Sequence, residues 1–249
     1  MEIIQTNTIN VEAVKSELLR QKTSRVRFKW PVSQKQAEDI LLAAYMAEVE
    51  YRHIKFENDD KTRNNIAKVA AYLVNPIKFG LMLCGTCGNG KTTLMRAIQS
   101  GTTYLSNNGA FNIKKLEKVK TMSGEFVDRE NVYENKIYIE LVHAKEIIAK
   151  CRDYNDMESL KKKPYLGIDD LGVEPKEVLD YGNVCNPVLE LLEYRYNEQL
   201  PTFVTTNLPP KGNKEKGIKG LDDHYGLRLA DRFNEMMYKI VFNDGSYRK

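Results

Sequence analysis

The segment Gly85-Thr86-Cys87-Gly88-Asn89-Gly90-Lys91-Thr92 constrains this chain more than any other feature. It matches G-x-x-x-x-G-K-[ST] in full, directly after the apolar run Gly80 to Cys84 and directly before a helical pattern of Leu94, Met95, Ala97 and Ile98. Strand, glycine-rich turn and helix are the setting in which such a loop holds phosphate. The glycines let backbone N–H groups converge on phosphate oxygens, and the following helix presents its positive end. Lys91 adds charge toward the outer phosphates and Thr92 offers a hydroxyl to Mg²⁺. The eight residues, with Thr93 after them, are the expected cradle for ATP. Cys84 and Cys87 also form a C-x-x-C, but Cys151 and Cys185 stand alone, and a metal would compete with phosphate for the same backbone. Those cysteines read as small strand and loop residues.

The pattern of apolar strand, turn and helix continues beyond this loop. Five short strands are predicted: Gly80 to Cys84, Ile137 to Val142, Tyr165 to Asp169, Thr202 to Thr206 and Lys239 to Phe242. Helical stretches between them imply right-handed crossovers, and so an α/β fold with a mostly parallel five-stranded sheet covered on both faces. Upstream, Ser33 and Gln36 make a capping box for a helix carrying Leu41, Tyr45 and Val49. A second helix follows Asp60, with Ile66, Val69, Ala70 and Leu73 on one face and Pro76 past its end.

The domain is expected over residues 33–249, preceded by an appendage over 1–32. In that appendage Val11, Val14, Leu18 and Leu19 recur at helical spacing, and Val26, Phe28 and Trp30 alternate with basic residues as in a strand. Phe28 and Trp30 either anchor a partner or cover the domain's own surface. Residues 107–136 read as an insertion without an assigned role.

At 249 residues and 42% hydrophobic composition the chain can bury a full core. Met1 to Asn10 carries no basic cluster before an apolar run, no stretch is long enough to span a bilayer, and four scattered cysteines suit a reducing compartment. The expected location is cytoplasmic. A net charge of +4 permits an anionic partner without requiring one.

Tyr165 to Asp170 reads as a buried strand ending in two carboxylates, the arrangement a Mg²⁺ site needs opposite a phosphate loop. Asp169, with Thr92, is the expected metal-holding pair. Asp170 is placed to polarise the attacking water, with a shorter reach than Glu, so turnover should be slow. Asn207 ends the strand Thr202 to Thr206, where an amide beside the γ-phosphate would orient water, or else it simply begins the turn into Leu208-Pro209-Pro210. Arg228 and Arg232, four residues apart, share one helical face from which a guanidinium could reach a neighbouring subunit. The plainer alternative is a surface ion pair, Arg232 with Asp231 or Glu235.

Taken together, the phosphate loop, Ile168-Asp169-Asp170-Leu171-Gly172, Pro201-Thr-x-x-x-Thr-Asn-Leu208 and Tyr225-Gly-x-Arg-x-x-Asp-Arg232 resemble the AAA+ ATPases of the DnaC-type helicase loaders and the related IstB transposition helpers. The resemblance covers about residues 56–249 and implies a P-loop NTPase three-layer sandwich of the AAA+ type, without a C-terminal lid domain. It implies that Asn207 is a sensor residue, Arg232 an arginine finger and Arg228 its companion, while Arg195 lies in a similar stretch without a clear role. It implies ATP and Mg²⁺ as cofactors, and single-stranded DNA and a replicative helicase as partners. A homo-oligomer would form through the shared ATP site, monomeric without ATP and DNA. The region matching the family's DNA-threading helices carries His143, Lys145, Lys150, Arg152 and Lys161-Lys162-Lys163, which alternatively form a solvated face. Two other functions stay open: an IstB-like helper that binds duplex DNA and a transposase, and a small-molecule kinase, for which no acceptor pocket or lid arginine is evident.

Overall fold

In the run Gly80–Gly85, which forms strand β1, Leu81 and Leu83 enter one hydrophobic cluster while Met82 and Cys84 enter another. Side chains alternate across a strand, so a run buried at each position from Gly80 to Cys84 must have cover on both sides. The computed structural model describes residues 10–21, 26–120, 125–180, 183–242, 245 and 247.

Three helices precede β1: α1 (Val11–Gln21), α2 (Gln34–Glu50) and α3 (Asp60–Val74). After it come α4 (Lys91–Asn107), the strands β2 (Ile113–Lys120) and β3 (Phe126–Tyr133), then β4 (Glu140–His143), α5 (Ala144–Lys150) and α6 (Tyr154–Lys162). The remainder is β5 (Leu166–Leu171), the short strands β6 (Val178–Asp180) and β7 (Asn183–Cys185), α7 (Pro187–Asn197), β8 (Thr202–Thr206), α8 (Leu221–Tyr225), α9 (Leu227–Met236) and β9 (Met237–Phe242).

The main sheet runs β4-β5-β8-β1-β9 with every pairing parallel. All five predicted strands are in it. The expected Ile137 to Val142 strand begins later, at Glu140. Ile137 and Ile139 are buried all the same, and the Ile137 N–H donates to Ser106 Oγ at 2.8 Å rather than to a neighbouring strand. Helices α2, α3 and α4 pack on one face, and α5, α6, α7, α8 and α9 on the other. This is the α/β P-loop sandwich expected from the motifs.

The capping box forms as predicted: Ser33 Oγ accepts from the Gln36 N–H at 3.3 Å and Gln36 Oε1 accepts from the Ser33 N–H at 3.0 Å. Helix α3 is capped by Asp59, whose carboxylate accepts from the Thr62 N–H at 2.6 Å.

The segment before Pro31 departs from expectation. Residues 26–30 form no strand. Instead the Trp30 N–H donates to the Leu73 carbonyl at the end of α3 (2.8 Å), and its indole N–H donates to Thr102 Oγ1 on α4 (3.1 Å). Trp30 is 0% exposed, and a Cβ on Gly101 would lie 2.6 Å from its ring. Phe28 packs against Tyr165 and Phe203 with ring centroids 4.9 and 5.7 Å apart. Phe28 and Trp30 are buried with Lys29 exposed between them, but Val26 is exposed as well, and the neighbours of Trp30 are a pair of helices rather than a strand. Phe28 and Trp30 therefore belong to the core. The helix α1 forms where the periodicity placed it, yet Val11, Val14, Leu18 and Leu19 are exposed. The 107–136 stretch contains an antiparallel ribbon in which β2 and β3 pair from Ile113↔Tyr133 to Lys120↔Phe126.

Trp30→Ala is expected to destabilise the fold by about 3–5 kcal/mol in urea unfolding, whereas Leu18→Ala should stay within about 0.5 kcal/mol of the parent.

Candidate nucleotide site

The loop between β1 and α4 owes its path to glycine at two points. Gly85 has φ +147°, and a Cβ there would lie 2.3 Å from the Phe242 carbonyl of β9. Gly90, at φ +86°, is the N-cap of α4, and a Cβ there would meet the Tyr45 hydroxyl at 2.4 Å. No side chain caps α4, so its first N–H groups remain available to an anion.

Lys91 is buried at the base of this loop. Its ammonium faces four oxygens: the carbonyls of Gly85 (2.9 Å) and Thr86 (2.7 Å), Asn89 Oδ1 (3.0 Å) and Asn207 Oδ1 (2.9 Å). Burial holds its pKa below the ordinary lysine range, with Asp170 the strongest opposing influence. An anion entering the loop would supply the charge partner that these neutral oxygens do not.

Strand order brings the remaining residues to this ammonium. Because β8 lies between β1 and β5, its end places Asn207 against Lys91, while the end of β5 reaches the start of α4. Thr92 Oγ1 donates to Asp169 Oδ1 at 2.9 Å, and Thr205 Oγ1 on β8 donates to the same oxygen at 2.5 Å. Thr205 Oγ1 also accepts from the Asp170 N–H at 2.8 Å. The β5–β8 register shifts between Ile168 and Leu171, and within that irregularity Asp170 adopts φ +55°, a left-handed conformation that Asp tolerates better than most residues. The two carboxylates consequently diverge: Asp169 is held by hydroxyls, while Asp170 lines the cavity and lies 3.7 Å from His143 Nε2. Neither Thr205 nor the His143–Asp170 contact was evident from the sequence, since both depend on pairing between strands.

The cavity has a volume of about 550 Å³. Cys87, Gly88, Asn89, Gly90, Lys91, Thr92 and Thr93 line it together with Asp170 and Asn207. The rest of its wall is mixed: Tyr45 and Val49 from α2, then Ile54, Phe56 and Tyr247 supply aromatic and aliphatic surface, beside the polar Arg52, Lys55, Glu57 and Thr62. Burial pushes the Tyr45 hydroxyl up to about 12. This wall was missed because Tyr45 and Val49 fit the ordinary spacing of a core-facing helix. The Cys84 thiol, pushed up to about 11 by burial, packs in the sheet core, and no cluster of three or more metal-binding side chains occurs among the described residues.

Arg228 and Arg232 do not line this cavity. Arg232 Nη1 lies 2.6 Å from Glu193 Oε1 on α7, its guanidinium sits 4.9 Å from the centre of the Tyr196 ring, and its side chain is 15% exposed. Arg228 Nε is 3.6 Å from the same carboxylate oxygen, but its side chain is 78% exposed. The acidic partner is Glu193 across the helix interface, not Asp231 or Glu235. Glu235 instead accepts from the Tyr196 hydroxyl. Another buried carboxylate, Glu174, accepts from the Gly172 N–H at 2.8 Å and from the Tyr225 hydroxyl, tying the segment after β5 to α8.

The basic residues on α5 and α6 divide into two sets. Lys161 and Lys162 pair with Glu158 at 3.3 and 3.1 Å, and Lys163 pairs with Glu140 at 2.7 Å. Lys145 and Arg152 are exposed and Lys150 is half-buried. Arg195 is fully buried on α7, donating to the Thr202 hydroxyl at 2.8 Å and to the carbonyls of Lys161 (3.3 Å), Lys163 (2.8 Å) and Pro201 (2.6 Å). Its role is to join α6 and α7 to the start of β8. Arg195→Met should cost about 3 kcal/mol or more in urea unfolding, because those buried acceptors lose their donor.

No protein-family model matches the chain, and no curated protein does. Among solved structures it is similar to DnaI, at 21% identity and a TM-score of 0.48 over 82% of this chain and 93% of that one. It is also similar to the DnaC helicase loader, at 19% identity and a TM-score of 0.48 over 76% and 93% of the two chains. A third likeness is to a protein from Streptococcus pyogenes serotype M3 described as a primosome component, at 20% identity and a TM-score of 0.48 over 83% and 98%.

Proposed function

We propose that this chain is an ATPase of the helicase-loader type, with a nucleotide site completed between two copies. The observation that carries the proposal is the Lys91 ammonium, which bridges the phosphate loop to Asn207 beside the Thr92–Asp169 pair. Lys91 exchanges its contacts with Asn89 and Asn207 for the outer phosphates of ATP. The released Asn207 amide then orients water near the γ-phosphate without adding charge.

Thr92 and Asp169 provide a hydroxyl and a carboxylate within 2.9 Å of each other, an oxygen donor set that fits Mg²⁺. The bound ion would neutralise charge on the phosphate oxygens. Asp170 faces the cavity and accepts the proton of the attacking water. Its short side chain and left-handed backbone limit its reach, so turnover is slow until a partner adjusts the site.

Helix α9 supplies the guanidinium to a neighbouring copy, since neither of its arginines lines the chain's own cavity. Exposure favours Arg228 as the group that crosses, while Arg232, held by Glu193, fixes the helix face that carries it. Lys145, Lys150 and Arg152 contact the phosphates of single-stranded DNA; the ion-paired Lys161, Lys162 and Lys163 contribute less. A ring helicase is the partner this reading names.

ATP hydrolysis measured at several protein concentrations, with and without single-stranded DNA, tests these assignments. Lys91→Ala should reduce the rate roughly 10²-fold or more, and a rate equal to the parent's would remove the phosphate-site assignment. Arg228→Ala should lose up to about 10³-fold and regain part of that rate when mixed with Lys91→Ala, whose arginines are intact. Absence of any recovery, together with a rate per chain that is independent of concentration, would rule out action between copies. Capture of a transposase and duplex DNA in place of a ring helicase would favour the IstB-like function.

A further inference from the structure

Tyr247 lies beyond the end of β9 at Phe242, yet it returns to the phosphate loop. Its backbone N–H donates to the Gly88 carbonyl at 2.9 Å, and its hydroxyl lies 3.1 Å from Thr62 Oγ1 in the first turn of α3. The side chain also hydrogen-bonds the Asp59 carboxylate that caps this helix. One residue thus links the phosphate loop to the helix that borders the cavity.

Tyr247 lines the cavity, as do the aromatic and aliphatic Tyr45, Val49, Ile54 and Phe56. It is 38% exposed, so it serves as a wall rather than as core. A loop that fixes the phosphates leaves the remainder of a ligand to occupy the rest of the same cavity, and here that remainder meets the rings of Tyr45, Phe56 and Tyr247 and the aliphatic Val49 and Ile54, interspersed with the polar Arg52, Lys55, Glu57 and Thr62. A volume of about 550 Å³ is of the size that holds a small cofactor. The chemistry of such a wall suits a flat heteroaromatic base, which presents a π-face to an aromatic ring.

We propose that Tyr247 is a base-contact residue: its ring packs against the base of the bound nucleoside triphosphate, while its backbone N–H anchors this segment to Gly88. The proposal rests on the phosphate-loop reading above and adds to it a residue that no motif includes. The bond to Gly88 is a main-chain bond that survives substitution, whereas Tyr247→Ala removes both the ring and the hydroxyl contacts to Thr62 and Asp59 and Tyr247→Phe removes the hydroxyl contacts alone, so the two variants together separate ring from anchor.

The test is calorimetric titration of the full chain with ATP and, separately, with inorganic tripolyphosphate, which has phosphates but no base. Tyr247→Ala should weaken ATP binding about tenfold or more while leaving tripolyphosphate binding within about twofold of the parent. Tyr247→Phe keeps the ring and should retain ATP affinity within about threefold. Undiminished ATP binding by Tyr247→Ala would overturn the proposal, as would equal losses for both ligands, which would mean that Tyr247 acts only through the loop. A parent that binds both ligands equally well would overturn the base contact and leave the phosphate site standing. A parent that binds neither would remove the phosphate site and the base contact together.

Discussion

The arrangement of this molecule depends on a buried ammonium group. Lys91 sits among four oxygens from two segments, the phosphate loop and the end of β8, none of them a charged partner in direct contact. A lysine withdrawn from water in this way is costly unless its protons are accepted, and the loop carbonyls and two amides accept them. Asn207 can contribute only because β8 is inserted between β1 and β5. Strand order and site are therefore one feature described at two scales.

A second set of contacts holds the carboxylates in their different roles. Thr205 donates to Asp169 and accepts from the Asp170 backbone, so a single hydroxyl on β8 steadies both residues across a bulge in the strand pairing. Downstream, Glu174 ties Gly172 to Tyr225, and α9 follows directly with Arg228 and Arg232. The end of β5 and the arginine helix are thus mechanically connected within one chain through a buried carboxylate. The Glu193 ion pair holds the arginine face from the α7 side.

Covering the other face of the sheet requires residues that lie before the domain boundary expected from the sequence. Trp30 fills the space between α3 and α4, close to Gly101, and Phe28 extends this contact to Phe203 on β8. The region around residues 45–62 lies on the same side and forms the cavity wall opposite no catalytic motif of its own, so the helices that complete the core also shape the site.

Much of this was legible in the amino-acid order because local chemistry determines it. A full phosphate-loop pattern between an apolar run and a helix, a capping box at Ser33, and five apolar segments of strand length each act over a few residues; the loop and the cap lie where expected, and all five strands form, with the one expected at Ile137 starting instead at Glu140. The helix spacing that put Arg228 and Arg232 on one face was equally local, but their common acidic partner, Glu193, is remote in sequence and emerged only from the packing of α9 on α7. The alternation of Phe28 and Trp30 marked two side chains on one side and could not specify that helices α3 and α4 cover Trp30. Tertiary structure alone decided the order of strands, the bulge at Asp170, the bridging role of Thr205 and the return of Tyr247 to Gly88. The physical reason is that motifs and periodicities express the preferences of neighbouring residues, whereas a site is assembled from strand ends brought together by burial, and burial depends on the whole chain.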